Sequence, residues 1–155
     1  PGFAYCPGDG SGTGCPCANN STGPGGCDWG DVAFPGGGVL DATGTASLAT
    51  NDLNLVASGI SNNFGIFFGA ANLVNGGNGN PLNDGLRCAG GALVRLNSPT
   101  TASGNSATTP MPVGMLDTGA GAGVTRRYQY WFRTPTGPCG SNANLTNGYE
   151  ITWMP

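Results

Sequence analysis

Residues 124–133 read VTRRYQYWFR and form the most strand-like stretch of the chain. The stretch contains neither Gly nor Pro, and aromatic side chains favour extended backbone. Alternation with period two divides its side chains between two faces. One face carries Tyr128, Tyr130 and Phe132. The other face carries Arg127, Gln129, Trp131 and Arg133. We expect the first face to be core and this stretch to be the central strand around which the rest of the chain packs.

The composition favours short strands joined by turns. Among 155 residues there are 30 Gly and 12 Pro, which break helices and end strands. Hydrophobic residues nevertheless reach 38%, enough for a folded domain of this length. We therefore expect one folded, loop-rich domain over residues 1–155.

Further apolar runs, separated by turn residues, predict the other strands. These runs are residues 39–42, 45–49, 54–60, 64–68, 92–96 and 149–153. An edge strand is expected within residues 97–110, and loops are expected at residues 75–80 and 111–123. No window favours a helix. This pattern predicts an all-β fold, an antiparallel, jelly-roll-like β-sandwich over residues 38–155.

Residues 1–37 form a loop-rich cap that contains four of the six cysteines and almost no periodic hydrophobicity. An even number of cysteines in a chain of low charge predicts disulfides, and hence a secreted, extracellular or cell-surface protein. Cys15 and Cys17 are too close in sequence to pair with each other. We therefore expect Cys6–Cys17 and Cys15–Cys27 within the cap, and Cys88–Cys139 elsewhere. A zinc site is the alternative, but C-x-C without C-x-x-C or His is not zinc spacing.

The charged residues exclude several functions. The five basic residues are all Arg, and the formal net charge is −3. Nucleic acid is an unsuitable partner, since binding phosphates requires a basic face. No apolar run is long enough to span a membrane, and any signal peptide is expected to precede Pro1. Without His, Lys or a free thiol, only carboxylates remain for acid–base catalysis, so we expect a non-enzymatic protein.

Residues 9–13, Asp-Gly-Ser-Gly-Thr, place oxygen-bearing side chains at alternate positions of a Gly-rich loop. Calcium loops present their ligands in this manner, so Asp9, Ser11 and Thr13 are candidate ligands of a structural calcium ion. The same residues also form ordinary turns, and the closing Glu of an EF-hand is missing.

Trp131 lies opposite the predicted core face, beside Gln129 and Arg133. A flat aromatic ring flanked by planar polar groups suits stacking on a sugar ring, which predicts a polysaccharide ligand at these three residues. The alternative is that a loop or the second sheet covers the indole ring.

Asn19, Asn20 and Asn144 each begin an N-x-Ser/Thr triplet, the acceptor sequence for N-glycosylation. Such triplets also arise by chance in a chain rich in Asn, Ser and Thr.

Only 8% of the residues are charged, against about 25% in ordinary domains. Soluble proteins use charges, above all Lys, to prevent their strand edges from pairing. This chain lacks that protection, which predicts a self-associating subunit of a surface fibre, filament or matrix. A carbohydrate-binding or adhesion module is the alternative, and a passive secreted domain is a third.

Seven motifs in order along the chain resemble a family of Gly- and Cys-rich extracellular β-domains secreted by environmental bacteria. The motifs are residues 5–13, 15–17, 42–47, 85–91, 128–133, 139–140 and 144–148. Most members of that family are of unknown function. The resemblance implies an extracellular location and a β fold, and it implies no catalytic residues.

Overall fold

The computed structural model describes residues 1–155, which fold into fourteen short strands, one α-helical turn, α1, and two 3-10 turns at Pro16–Ala18 and Asn75–Gly77. The strands are β1 Phe3–Tyr5, β2 Val39–Thr43, β3 Asn54–Ser58, β4 Phe64–Ala70, β5 Asn72–Leu73, β6 Asn80–Leu82, β7 Gly85–Arg87, β8 Ala89–Gly90, β9 Val94–Arg95, β10 Thr100–Thr101, β11 Ser106–Thr108, β12 Thr125–Arg133, β13 Ala143–Leu145 and β14 Gly148–Thr152. The helix α1 spans Val113–Leu116. None of the helical segments has the length and apolarity needed to cross a lipid bilayer.

The strands form two main antiparallel sheets. The larger sheet has the order β1-β14-β12-β4-β10, with β13 added to β12 and β9 added to β4. The smaller sheet has the order β11-β3-β2, and β5-β8 and β6-β7 form two separate pairs. The inner faces of the two main sheets share one hydrophobic core, so the predicted antiparallel β-sandwich is confirmed.

The strand β12 lies at the centre of the larger sheet, as the sequence predicts. It pairs with β14 on one side and with β4 on the other. Tyr128, Tyr130 and Phe132 have 0% exposure and pack in the core, which confirms the predicted inner face. Leu40 and Leu55 of the smaller sheet belong to the same core cluster.

The cap contributes a strand that the sequence analysis does not predict. Residues Phe3–Tyr5 pair with β14 at the edge of the larger sheet. Three residues are too few to give a periodic pattern, so the pairing partner rather than the local sequence determines this strand.

Two other predicted strands are wrong or too long. Residues 45–49 make only one bridge, between Ser47 and Met154, because the Asp52 carboxylate accepts hydrogen bonds from the amide and hydroxyl of Thr45 and holds a turn. The strand predicted at residues 92–96 shortens to β9, since Ala92 has a φ of 42°. In the region predicted as a loop at residues 111–123, α1 forms one helical turn.

The six cysteines form three disulfides, but two of the predicted pairings are wrong. Cys15–Cys27 is confirmed, whereas Cys6 pairs with Cys88 and Cys17 pairs with Cys139. The predicted Cys6–Cys17 bond would have held the cap to itself. The observed bonds instead connect the cap to the sandwich at two distant points of the chain.

Side-chain amides complete the edges of both sheets. Asn147 is buried and bonds both the backbone N–H and the carbonyl of Leu40 on β2. Asn97 accepts a hydrogen bond from the backbone N–H of Phe67 and donates one to the carbonyl of Gly65, both on β4. These amides act as substitute strand residues where no neighbouring strand is present.

Candidate functional site

The outer face of the larger sheet carries an apolar groove of about 320 Å³. Its floor comes from β4 and β12, whose antiparallel register places Ile66 opposite Trp131. Phe68 lies two residues further along β4 and therefore on the same face. Leu82 at the end of β6 and Leu93 before β9 line the rim and are 40% and 52% exposed. The outer face of a sandwich is ordinarily polar, so this groove is an unusual surface.

Two arginines, Arg87 and Arg95, also line the groove. The chain contains two salt bridges, Arg126–Asp117 and Arg127–Glu150, and neither includes a groove arginine. Arg87 Nε donates only to the carbonyl of Ala89, at 3.2 Å. The groove thus combines an apolar floor with two cationic groups and no acidic lining residue.

Of the three residues predicted to bind a sugar, only Trp131 lies in the groove. Its indole N–H donates to Asn83 Oδ1 at 3.0 Å, and the ring is half-buried. Arg133 is exposed at the end of β12 and does not line the groove. The structure therefore does not unite the three residues in one site.

Gln129 requires a correction, because it has 0% exposure. Its Oε1 accepts a hydrogen bond from the backbone N–H of Cys88, and its Nε2 donates to the carbonyls of Leu86 and Thr146. The segment around Cys88 covers this part of the outer face, so Gln129 anchors that segment and is unable to contact a ligand.

The predicted calcium ligands are engaged in separate hydrogen bonds. Asp9 accepts hydrogen bonds from the amide and the hydroxyl of Ser11, which hold the pKa of its carboxyl below the usual range. Thr13 donates instead to the carbonyl of Gly79, at 2.8 Å. No group of three or more His, Cys, Asp or Glu side chains is placed to hold a metal ion. This arrangement is an ordinary Asx turn and lends the calcium prediction no support.

The three sequons differ in accessibility. Asn144 has 0% exposure, and its amide bonds the carbonyl of Asp28, so glycosylation of this side chain in the folded protein is excluded. Both Nδ2 hydrogens of Asn19 are engaged, with the carbonyls of Asp28 and Asp84. Asn20 is exposed and uses its Oδ1 to accept a hydrogen bond from Cys15, which leaves its amide nitrogen accessible. Asn20 is therefore the one sequon whose geometry suits modification.

The two fully buried carboxylates hold the structure together. Asp117 makes a two-bond ion pair with Arg126 and also accepts hydrogen bonds from the Tyr128 hydroxyl and the amide of Gly119. Burial raises the pKa of the Tyr128 hydroxyl, and the Asp117 charge raises it further. Asp84 accepts hydrogen bonds from the amides of Cys139 and Ser141 and from the Ser141 hydroxyl. These partners explain why both charges are tolerated in the interior.

The free edge of the larger sheet is the second unusual surface. There β1 carries no charged residue, and its Phe3 side chain is 78% exposed. Phe3 separates two shallow depressions, one beside Ala46 and Met154 and the other beside Leu73. Met154 and Leu73 are themselves 54% and 39% exposed, so an apolar side chain flanks the edge on each side, and Glu150 also lines the depression beside Leu73.

Sequence reasoning missed the groove residues on β4 and the two arginines. The apolar run at residues 64–68 does predict a strand, but its alternation is hidden because Gly65 and Gly69 lie on either side of Phe67 on the inner face. Glycine is needed at position 65, since an added Cβ would fall onto the Tyr130 hydroxyl. A strand with Phe67 between two glycines on one face and large apolar side chains along the whole of the other face was the available signal.

A comparison with family models, curated proteins and solved structures finds no match to this chain. The resemblance to secreted bacterial β-domains therefore stays a prediction.

Proposed function

We propose that this chain is a non-enzymatic extracellular structural protein whose copies associate with one another as subunits of a surface fibre, filament or matrix. The observation that carries this proposal is the free edge at β1, where an uncharged strand presents the exposed ring of Phe3. A strand edge offers unpaired N–H and C=O groups to another chain unless charge, proline or a covering group prevents it.

Several other edge positions of the sandwich have such protection. Asn147 covers β2 at Leu40, Asn97 covers part of β4, and Pro99 directly precedes the edge strand β10. At β1 no arginine, lysine or proline lies within the strand. The edge strand β11 of the smaller sheet is likewise uncharged, but it presents no exposed large apolar side chain, so Phe3 is the feature that distinguishes β1.

The disulfides support the extracellular part of the proposal. Three disulfides and no free cysteine fit an oxidising environment and a chain whose subunits persist outside a cell. Two of the bonds fasten the segment that carries β1 to the sandwich, so the edge is held in a fixed position. A preorganised edge loses less conformational entropy when a second copy binds.

The test adds a charge to this edge. In the Phe3→Lys variant we expect the concentration required for assembly to rise at least about tenfold, equivalent to about 1.4 kcal/mol, because association would bury an ammonium group. Analytical ultracentrifugation and electron microscopy of the wild-type protein at increasing concentration provide the reference. Met115→Lys is the matched control, since Met115 is exposed to 60% and belongs to α1, outside the larger sheet.

The proposal fails if the wild-type protein remains monomeric up to millimolar concentration. If Phe3→Lys assembles as readily as the wild-type protein, self-association stands but β1 is not the surface that mediates it.

The alternative is a carbohydrate-binding or adhesion module that uses Trp131. The half-buried indole in the groove favours it. However, six of the eight groove residues are hydrophobic, whereas sugar hydroxyls require several polar partners. Self-association is therefore the better-supported function.

A further inference from the structure

A partner that complements the apolar groove would present an apolar side chain with acidic residues beside it. Its floor contains Ile66, Phe68 and Trp131, and the cations of Arg87 and Arg95 lie at its margin without acidic partners. Burying these arginines against a purely apolar partner would leave two uncompensated charges, which is costly. Carboxylates adjacent to an apolar side chain would satisfy both parts of the groove.

The chain itself carries such a segment at residues 28–32. Val32 is 96% exposed, the most of any large hydrophobic side chain in the protein. Asp31 precedes it directly and Asp28 lies three residues earlier, and both side chains are partly exposed. We call this segment the acidic loop.

The acidic loop is held rigidly. Asp28 Oδ1 accepts a hydrogen bond from the amide of Gly30 at 2.7 Å, and Asp31 Oδ1 accepts one from the amide of Ala33 at 2.9 Å. Trp29 anchors the base of the loop, because its indole N–H donates to the carbonyl of Gly59 at 2.8 Å. An ordered loop binds with a smaller entropic cost than a mobile one.

The groove and the acidic loop lie on different sides of the same molecule. Trp29 packs edge-to-face on Phe132, which belongs to the inner face of β12. The groove lies on the outer face of that strand, beside Trp131. A contact between them would therefore join two copies, and such a contact between unlike surfaces builds an open chain of subunits or, where the rotation closes, a ring.

We propose that the groove of one copy receives Val32 of a second copy, with Asp31 and Asp28 of that copy facing Arg95 and Arg87. This inference rests on the proposed self-association and adds to the β1 edge a second, directional contact, because each subunit offers one groove and one acidic loop. The partner is a second copy of this chain, recognised by one valine and two carboxylates.

The experiment compares the assembly concentration of three variants with that of the wild-type protein. We expect Val32→Asp and Arg95→Asp each to raise it at least tenfold. Asp31→Asn retains the oxygen that bonds Ala33 but removes the charge, so it is expected to weaken assembly and reduce its salt dependence. Arg133→Asp is the matched control, since Arg133 is exposed on β12 outside the groove and should leave assembly unchanged.

A photo-cross-linking residue at position 32 supplies a second measurement. In a mixture of isotopically labelled and unlabelled copies, mass spectrometry is expected to find cross-links between copies, from position 32 to peptides that contain Trp131 or Leu93. Circular dichroism verifies that each variant is folded.

Each other outcome has a defined meaning. If the wild-type protein assembles and the three variants assemble equally well, the inference is overturned while the proposed function stands. If the wild-type protein never assembles, both are overturned. If Arg95→Asp abolishes binding on a glycan array while assembly is unchanged, the groove belongs to a polysaccharide and the inference is wrong.

Discussion

Gln129 lies on the outer face of β12, between Arg127 and Trp131, yet it is fully buried. Period-two alternation correctly assigns it to the outer face, but alternation does not indicate whether another segment covers that face. The covering segment, residues 85–90, is held there by the amide of Gln129 itself. A residue predicted to contact a ligand is therefore an internal hydrogen-bonding group.

Replacing Gln129 with Leu tests this role. The variant retains much of the side-chain volume but leaves the N–H of Cys88 and the carbonyls of Leu86 and Thr146 without partners. We expect a loss of about 3 kcal/mol in the free energy of unfolding, since buried unpaired groups are costly. Urea unfolding followed by tryptophan fluorescence measures it. Arg133→Leu on the same strand is the control, and equal losses in both variants would contradict the assignment.

At the level of elements, the sequence predicts long periodic strands well and short ones poorly. The strand β12 and the closing strand β14 appear nearly where their alternation places them. The strand β1 and the pair β6-β7 leave no such pattern, because two or three residues do not define a period. Their positions depend on partners that are distant in sequence.

The disulfide pairing was beyond sequence reasoning for the same reason. Six cysteines allow about fifteen arrangements, and spacing excludes few of them. Cys6 follows β1 directly, so its partner depends on where β14 positions that strand. Only Cys15–Cys27, with a separation of 12 residues, is local enough to be inferred from spacing.

Disulfides that close long loops and disulfides that close short loops should differ in their contribution to the free energy of unfolding. Cys17–Cys139 encloses 122 residues and Cys15–Cys27 encloses 12. In the chain-entropy model, removing the disulfide that closes the longer loop lowers the free energy of unfolding by about 2 kcal/mol more than removing the other. Chemical unfolding of the double variants Cys17→Ser/Cys139→Ser and Cys15→Ser/Cys27→Ser measures the difference. Equal losses would show that local contacts, rather than loop length, determine these contributions.

For the whole molecule, the dependence of stability on pH should be unusual. With no His, no Lys and no free cysteine, no side chain ordinarily titrates near neutrality. Burial raises the pKa of Tyr130 to about 12, and it also raises the pKa values of Tyr5, Tyr128 and Tyr149. Tyrosines with raised pKa values stabilise the fold fully below the unfolded pKa of about 10 and lose that contribution as pH rises further.

We therefore expect the free energy of unfolding to stay nearly constant from about pH 6 to 9 and to fall steadily above about pH 10. Urea unfolding at each pH, together with the ultraviolet absorbance of tyrosinate, measures both quantities. Above about pH 10 the free energy of unfolding of Tyr130→Phe should fall less than that of the wild-type protein. The variant lacks the Tyr130 hydroxyl, which is buried without a hydrogen-bond partner. A stability maximum in the acidic range would contradict this expectation.

Hydrolysis of the Asn147 side-chain amide would change how the two sheets are joined. Asn147 is followed by Gly148, and its Nδ2 donates to the carbonyls of Leu40 and Gly148. Hydrolysis of this amide would replace the donor with a carboxylate oxygen and set negative charge against two carbonyl oxygens in the interior. The joint at β2 would then keep only the hydrogen bond from the Leu40 N–H, so a single deamidation event at Asn147 would weaken the attachment between the two sheets.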